Sequence, residues 1–233
     1  MFNFSALVES TAKQEAKSDL IDNPSPRCPC MLVLDISGSM AGAPIDQLNQ
    51  GVEAFLQELH EDDLAMFSVD VGVVTAGRNV SLSVPFTNAS NLQQVPTFAA
   101  DGATPLGEAV SLALQHLEQR KREYQRNGVP YYQPWLVIIS DGAPTDEWQP
   151  AATSARELAQ NRKLVSLPVG VAGANGDILS QFSNRPAKAL SGLKFREFFQ
   201  WLSASMSRVS ASNSTTAGVK LPDIDWDTSW DSV

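Results

Sequence analysis

The stretch LVLDISGSM places one carboxylate and two hydroxyl groups directly after an apolar run. Asp35 ends the run, and Ser37 and Ser39 follow two and four positions later. A second apolar run, WLVIIS, is followed by Asp141, and Thr104 stands at the start of a predicted helix. Carboxylate and hydroxyl oxygens are hard ligands, which suit Mg²⁺ or Mn²⁺ rather than zinc or copper. These five residues therefore predict a site for a hard divalent cation.

The elements predicted around these residues place them at one edge of a sheet. CMLVLD (30–35) and PWLVIIS (134–140) are continuous apolar runs, typical of strands buried on both faces. Strands that alternate with amphipathic helices predict an α/β fold, with a mostly parallel sheet covered on both faces. Because such sheets bind ligands at the carboxyl ends of their strands, we expect the five side chains to converge there.

The remaining elements are predicted from hydrophobic spacing and breaker residues. Helices are expected after Pro44, over 104–124, and over PAATSARELAQNRK, DILSQFS and KFREFFQWLSASMSRVS. Further strands are expected over LAMFSVDVGVVTAG, VSLSVPF, LVSLPVGV and AKAL. The short connection between Gly77 and Val80 predicts that the first two of these strands form an antiparallel hairpin.

Other chemistries fit the LVLDISGSM pattern less well. The chain has no P-loop motif, and no nucleophile elbow, because Gly38 stands between the two serines. A haloacid-dehalogenase-type phosphatase also begins with an aspartate after a strand, but its loop reads D-x-D and Ser37 occupies the second position. A metal-dependent phosphohydrolase stays open as the alternative function. Turn or capping roles are the alternative for Asp35 and Ser39.

Composition excludes several classes of partner. The 233 residues are 43% apolar and 18% charged, which is typical of a soluble globular protein. The formal net charge of −9 argues against binding to nucleic acid or to an anionic membrane surface. No apolar run approaches the roughly 20 residues of a membrane span, and the N-terminus lacks the pattern of a signal peptide, so we expect a cytoplasmic protein. The two cysteines, Cys28 and Cys30, are expected to be buried thiols.

DISGSM resembles the D-x-S-x-S signature of von Willebrand factor A (VWA) domains. Thr104 in GATPLG and Asp141 in SDGAPTD match the remaining metal positions of that family. GAPIDQLNQGV, DGAPTDEW and GLKFREFFQWLSASMSRVS are similar to the bacterial tellurium-resistance-associated VWA subgroup. The similarity covers residues 28–209. It leaves an N-terminal extension (1–27) and an acidic tail (210–233), whose two tryptophans we expect to dock on this domain or on a partner.

The resemblance implies a Rossmann-like, doubly wound sheet of six strands, mostly parallel with one antiparallel edge strand, and a metal-ion-dependent adhesion site (MIDAS). In that site Ser37, Ser39 and Thr104 would bind the ion directly, whereas Asp35 and Asp141 would anchor the coordination shell. The subgroup further implies a role in a stress-response or phosphorylation-signalling assembly, alongside a kinase or a phosphatase.

The charge count predicts how such a site is used. Two carboxylates only neutralise a divalent ion, so the ion stays electrophilic and keeps open positions. We therefore expect a metal-dependent adhesion or scaffold module without catalytic residues, whose protein partner supplies an Asp or Glu to the metal. Asp146 and Trp148 in PTDEW are further candidates for contact with the partner. Alternatively, Asp146 and Glu147 cap the helix that follows them.

Overall fold

One six-stranded sheet positions every candidate ligand. The computed structural model describes residues 20, 23–171, 173–190, 195–212 and 219–222. The strands are β1 (Cys28–Asp35), β2 (Val69–Ala76), β3 (Ser81–Asn88), β4 (Trp135–Ser140), β5 (Val165–Gly170) and β6 (Lys188–Ala189). The helices are α1 (Ala43–Glu61), α2 (Asp63–Ser68), α3 (Leu106–Arg126), α4 (Gln149–Gln160), α5 (Gly176–Leu179) and α6 (Phe195–Ser210).

The strand order across the sheet is β3-β2-β1-β4-β5-β6. Among the described strands, only β3 runs antiparallel, because the short connection after β2 allows no crossover, whereas every other neighbouring pair is parallel. The predicted mixed sheet with one antiparallel edge strand is therefore confirmed. The chain passes from β1 to β2 on one side and returns to β4 on the other side of β1. This reversal creates a crevice at the carboxyl ends of β1 and β4, where sheets of this kind bind ligands.

Helices cover both faces of the sheet and divide the core in two. α1 and α6 pack on one face with the β1 residues Cys28, Cys30, Leu32 and Leu34. α3 and α4 pack on the other face with the alternate β1 residues. Both cysteines are fully buried free thiols, as predicted, and burial raises the pKa of each above its ordinary value. None of the described helices combines the length and the apolar character that a membrane span requires.

The prediction of a strand over LAMFSVDVGVVTAG was wrong for the first part of this segment. The segment Asp63–Ser68 is a short helix, and the strand begins only at Val69. The Asp62 side chain starts the helix, because its Oδ1 accepts hydrogen bonds from the backbone N–H groups of Leu64 and Ala65 at 2.9 Å each. Capping by one carboxylate thus overrides the apolar run that favoured a strand.

The ends of the described chain pack against the domain. Leu221 is fully buried in the core under α6, and the Trp201 indole N–H donates to the Pro222 carbonyl at 3.1 Å. Part of the predicted tail therefore contributes to the core. Its two tryptophans, Trp226 and Trp230, and most of the predicted N-terminal extension lie outside the described residues.

A buried ionic network holds the edge of the sheet opposite to the crevice. Asp70, at the start of β2, is fully buried. Its Oδ2 accepts from Arg120 Nη2 at 2.7 Å and from the Tyr124 hydroxyl at 2.5 Å. Its Oδ1 accepts from Asn88 Nδ2 at 2.9 Å and lies 3.4 Å from Arg27 Nη1. One carboxylate therefore serves two buried guanidinium groups from separate parts of the chain.

Asp70→Ala should lower the free energy of unfolding by about 3–5 kcal/mol, because it removes the buried counter-charge that two guanidinium groups share. Chemical denaturation measures this loss. Glu118→Ala is the control, since Glu118 pairs with Lys121 on α3 and its side chain is 43% exposed, and it should cost less than about 1 kcal/mol. Equal losses of unfolding free energy in the two variants would contradict the role of Asp70 as a shared buried counter-charge.

Candidate metal centre

Three loops meet at the carboxyl ends of β1 and β4. Asp35 is the last residue of β1, Asp141 directly follows β4, and Thr104 lies two residues before α3. The loop after β1 contacts the loop before α3, since the Gly38 N–H donates to the Gly102 carbonyl at 3.0 Å. The structure thus brings the loops of all five predicted residues to one edge.

Asp35 forms the floor of the site. Its carboxylate is fully buried, and its Oδ1 accepts from the backbone N–H of Ser37 at 2.9 Å, while Oδ2 accepts from the Ser140 hydroxyl at 2.6 Å. Burial raises the pKa of Asp35. The hydrogen bonds from Ser140 and Ser37 act against this rise, and the nearby negative charge of Asp141 adds to it. In the described part of the chain, neither aspartate forms an ion pair.

The two serines of the loop after β1 present their hydroxyls together. Ser37 Oγ lies 3.0 Å from Ser39 Oγ. The chain makes a 3₁₀ turn over Gly38–Met40, closed by a hydrogen bond from the Met40 N–H to the Ser37 carbonyl at 3.0 Å. The Ser37 residue is buried, whereas Ser39 is exposed to solvent. The tight turn therefore points two hydroxyl oxygens at one place on the rim of the crevice.

Thr104 is anchored by Thr145, which the sequence did not single out. The Thr104 N–H donates to Thr145 Oγ1 at 3.1 Å, and the Thr145 N–H donates to the Thr104 carbonyl at 2.9 Å. Thr104 itself is 4% exposed. This reciprocal pair joins the loop before α3 to the loop after β4, so that the three loops form a closed ring of contacts.

Ser140 is a second residue that the sequence analysis missed. Its hydroxyl donates to Asp35 and accepts from the backbone N–H of Gly142 at 2.9 Å. Ser140 thereby joins the carboxylate of β1 to the loop that carries Asp141. The available signal was a hydroxyl residue at the end of an apolar run, immediately before an aspartate.

Asp146 caps a different helix from the one predicted. Its Oδ1 and Oδ2 accept from the Gly107 and Glu108 N–H groups, at 3.1 and 2.8 Å, so it caps α3 rather than the following α4. The prediction was wrong because the loop after β4 crosses the first turn of α3, which the sequence does not reveal. Trp148 is half-buried, with its ring centroid 5.8 Å from that of Phe182. Contact of Asp146 or Trp148 with a partner stays a prediction.

The donor set is rich in hydroxyls and poor in carboxylates. The described residues contain no group of three or more His, Cys, Asp or Glu side chains that could hold a metal ion. This excludes a zinc-type cluster in that part of the chain. Two carboxylates with serine and threonine hydroxyls instead form an all-oxygen set, which fits Mg²⁺ or Mn²⁺.

The family model for the von Willebrand factor type A domain matches residues 30–201, most of the chain. This chain belongs to the VWA domain family. The matched region contains all five candidate ligands, so the resemblance seen in DISGSM is confirmed at the level of the family.

Individual relatives of this VWA domain are distant. Over 118 residues, which are 49% of the chain, it is 25% identical to the human inter-alpha-trypsin inhibitor heavy chain H6, and the alignment covers 9% of that protein. The pilus adhesin SpaC from Lactobacillus rhamnosus GG has the same fold, with a TM-score of 0.59, 15% identity and coverage of 78% of this chain and 30% of that one. Proximal thread matrix protein 1 from the mussel byssus also has this fold, with a TM-score of 0.56 and 13% identity. The comparison covers 79% of this chain and 49% of that one. The chain thus spans less than half the length of each of these relatives.

Mn²⁺ should bind the intact chain, and Asp35→Asn should weaken binding by more than about tenfold. Asparagine keeps a group of the same shape beside Ser37 and Ser140 but removes the negative charge. At about 100 times its Kd, Mn²⁺ should stabilise the wild type by about 2.7 kcal/mol, and EDTA should reverse this. Calorimetry and thermal melting measure the two effects. Equal Mn²⁺ affinity in the two proteins would contradict the assignment.

Asp146→Ala should lower the free energy of unfolding by about 1 kcal/mol, because two N–H groups in the first turn of α3 lose their acceptor. Chemical denaturation in EDTA measures this loss without interference from metal binding. Glu147→Ala is the matched control, since Glu147 is exposed and caps no helix in the described chain. A loss in the Glu147 variant as large as that in the Asp146 variant would contradict the capping role.

Proposed function

We propose that this VWA domain is a metal-dependent protein-binding module. Mg²⁺ or Mn²⁺ would be held by Asp35, Ser37, Ser39, Thr104 and Asp141, and a protein partner would complete the coordination shell with an Asp or Glu. The observation that carries the proposal is the buried Asp35 carboxylate. It has hydrogen-bond donors but no cationic partner in the described chain, and it lies beside a second carboxylate.

The charge at the site favours an acidic ligand. Asp35 and Asp141 together cancel the charge of a divalent ion, and the serine and threonine hydroxyls add none. A carboxylate brought by the partner would therefore meet an ion that is still electrophilic. Such a contact is charge-assisted and partly desolvated, so it contributes more to affinity than an ion pair on an interface rim.

A binding role is favoured over hydrolysis because neither histidine of the chain, His60 or His116, lies at the crevice to act as a general base. His60 lies next to the last residue of α1, where its Nε2 contacts the Ala89 carbonyl at 2.8 Å. Because α1 has 19 residues and starts near the loop after β1, His60 lies roughly 25 Å along the helix from that end. His116 is in the middle of α3. A phosphate-release assay with Mg²⁺ or Mn²⁺ on a generic phosphomonoester tests the alternative phosphohydrolase directly.

The cellular setting proposed here follows from the resemblance to the tellurium-resistance-associated subgroup. We place the module in a cytoplasmic stress-response or phosphorylation-signalling assembly, with a kinase or a phosphatase as partner. The net charge of −9 supports a protein partner over nucleic acid or a membrane surface. SpaC is a pilus adhesin, and by analogy with it the cell surface is the alternative setting. Fractionation of cells that express the chain distinguishes the two settings.

Capture of the partner should depend on the metal and on Thr104 in the same way. Thr104→Ala and EDTA should each reduce the amount of retained partner by about tenfold or more, because each removes the contact between the ion and the partner. Together they should add little, since two changes that remove one contact are not additive. A quantitative pull-down with wild-type and variant chains measures this.

Thr153→Ala is the matched control, because Thr153 is exposed on α4. It should leave capture and its dependence on EDTA unchanged. If every specific partner survives both EDTA and Thr104→Ala, the metal does not mediate the interaction and the proposed function is wrong. Metal-dependent phosphate release that is lost in Asp35→Asn would support the hydrolase instead.

A further inference from the structure

The 101–104 segment, which leads to Thr104, lies against the loop after β1. The Asp101 N–H donates to the Ile36 carbonyl at 2.8 Å, and the Gly38 N–H donates to the Gly102 carbonyl at 3.0 Å. These two backbone hydrogen bonds run in opposite directions. The position of the 101–104 segment therefore sets the position of the serine-bearing loop, and the reverse also holds.

The turn between β2 and β3 supports the same segment from its other side. Gly102 has a φ of +82°, and a Cβ at this residue would lie 2.4 Å from the Cα of Arg78. Likewise, a Cβ at Gly77 would lie 2.8 Å from the Ile36 side chain and 3.0 Å from the Asp101 carbonyl. The two glycines permit a close approach that any side chain would prevent.

An ion pair joins this turn to the 101–104 segment. Arg78 Nε lies 2.7 Å from Asp101 Oδ2, and Arg78 Nη2 lies 3.1 Å from Oδ1, so the contact is bidentate. The two side chains are 73% and 55% exposed. An exposed pair contributes little to global stability, but the planar fork of arginine fixes the orientation of the carboxylate that it binds. The effect of this pair is therefore expected to be local.

We propose that Arg78 is a positioning residue of the metal centre. Through its ion pair with Asp101, it holds the 101–104 segment so that Thr104 meets the ion together with Ser37 and Ser39. Thr145 fixes the other end of the segment, and Arg78 fixes the end that faces the serines. This inference rests on the proposed function, because it concerns the binding of the same ion.

The test measures Mn²⁺ affinity of the intact chain by calorimetry for Arg78→Met, Asp101→Asn and the double variant. Each single variant should raise the Kd by about tenfold, which is the effect of losing one supporting contact at a metal site. The double variant should bind Mn²⁺ no more weakly than either single variant. Arg78→Lys should fall between wild type and Arg78→Met, because an ammonium group cannot bind both carboxylate oxygens in the same fork.

The direction of the change in Kd in the two single variants distinguishes positioning from a simple charge effect. Removing the positive charge of Arg78 would by itself strengthen the binding of a cation, whereas removing the negative charge of Asp101 would weaken it. Loss of positioning would instead weaken Mn²⁺ binding in both variants. The melting temperature in EDTA should change by less than about 2 °C in every variant. Glu118→Gln, which breaks the ion pair with Lys121 on α3, is the control and should leave the Kd unchanged.

Three outcomes would overturn the role of Arg78. These are an unchanged Kd in both single variants, opposite changes in their Kd values, or a fall of several degrees in the EDTA melting temperature that accompanies the loss of affinity. If wild type itself binds no Mn²⁺, the proposed function is overturned, and the role of Arg78 falls with it. The wild-type titration therefore distinguishes failure of the proposed function from failure of this inference alone.

Discussion

The interaction on which the candidate site depends is the hydrogen bond from the Ser140 hydroxyl to Asp35. It holds a fully buried carboxylate between two neighbouring parallel strands at the place where the chain reverses direction across the sheet. The same hydroxyl accepts from the Gly142 N–H, so it links the loop after β4 to the Asp35 carboxylate at the end of β1. Without this contact, Asp35 would lose its hydroxyl donor from β4, and the loop that carries Asp141 would lose its direct link to the Asp35 carboxylate.

The domain contains a second buried aspartate, and the contrast between the two indicates their roles. Asp70 is surrounded by donors that include two guanidinium groups and a phenol. Within the described residues, the donors to Asp35 are neutral groups of Ser140 and Ser37. A buried carboxylate with a matching cation from the protein is a structural element. The charge of Asp35 has no such partner in the described chain, and this is why the proposed cation site lies at the crevice rather than at the opposite edge.

The sequence predicted the parts that depend on local pattern. Apolar runs that end in Asp35 and Asp141 identified both the buried strands and the edge at which they meet. The short connection after β2 identified the antiparallel strand. Contacts between distant segments could not be predicted in the same way. Asp146 caps a helix 39 residues upstream of it rather than the next one, and Thr145 pairs with Thr104 across 41 residues. Hydrophobic periodicity in the sequence does not predict such contacts, because they depend on how the loops cross in the folded sheet.

These long-range contacts also explain how the candidate ligands are brought together in the absence of an ion. The three loops are linked in pairs. Asp35 and Ser140, the last residues of β1 and β4, join the starting points of two loops, and Gly38–Gly102 and Thr104–Thr145 contacts join the third loop to each of them. A closed ring of this kind limits the movement of each loop more than any single contact would, because a shift in one loop must break bonds to both others. If the proposed ion binds there, less conformational entropy would be lost on binding, so more of the interaction energy would contribute to affinity. The sheet therefore positions the hydroxyl oxygens at the rim indirectly. Its strands fix the starting points of the loops, and the contacts between the loops fix the positions of the hydroxyl groups.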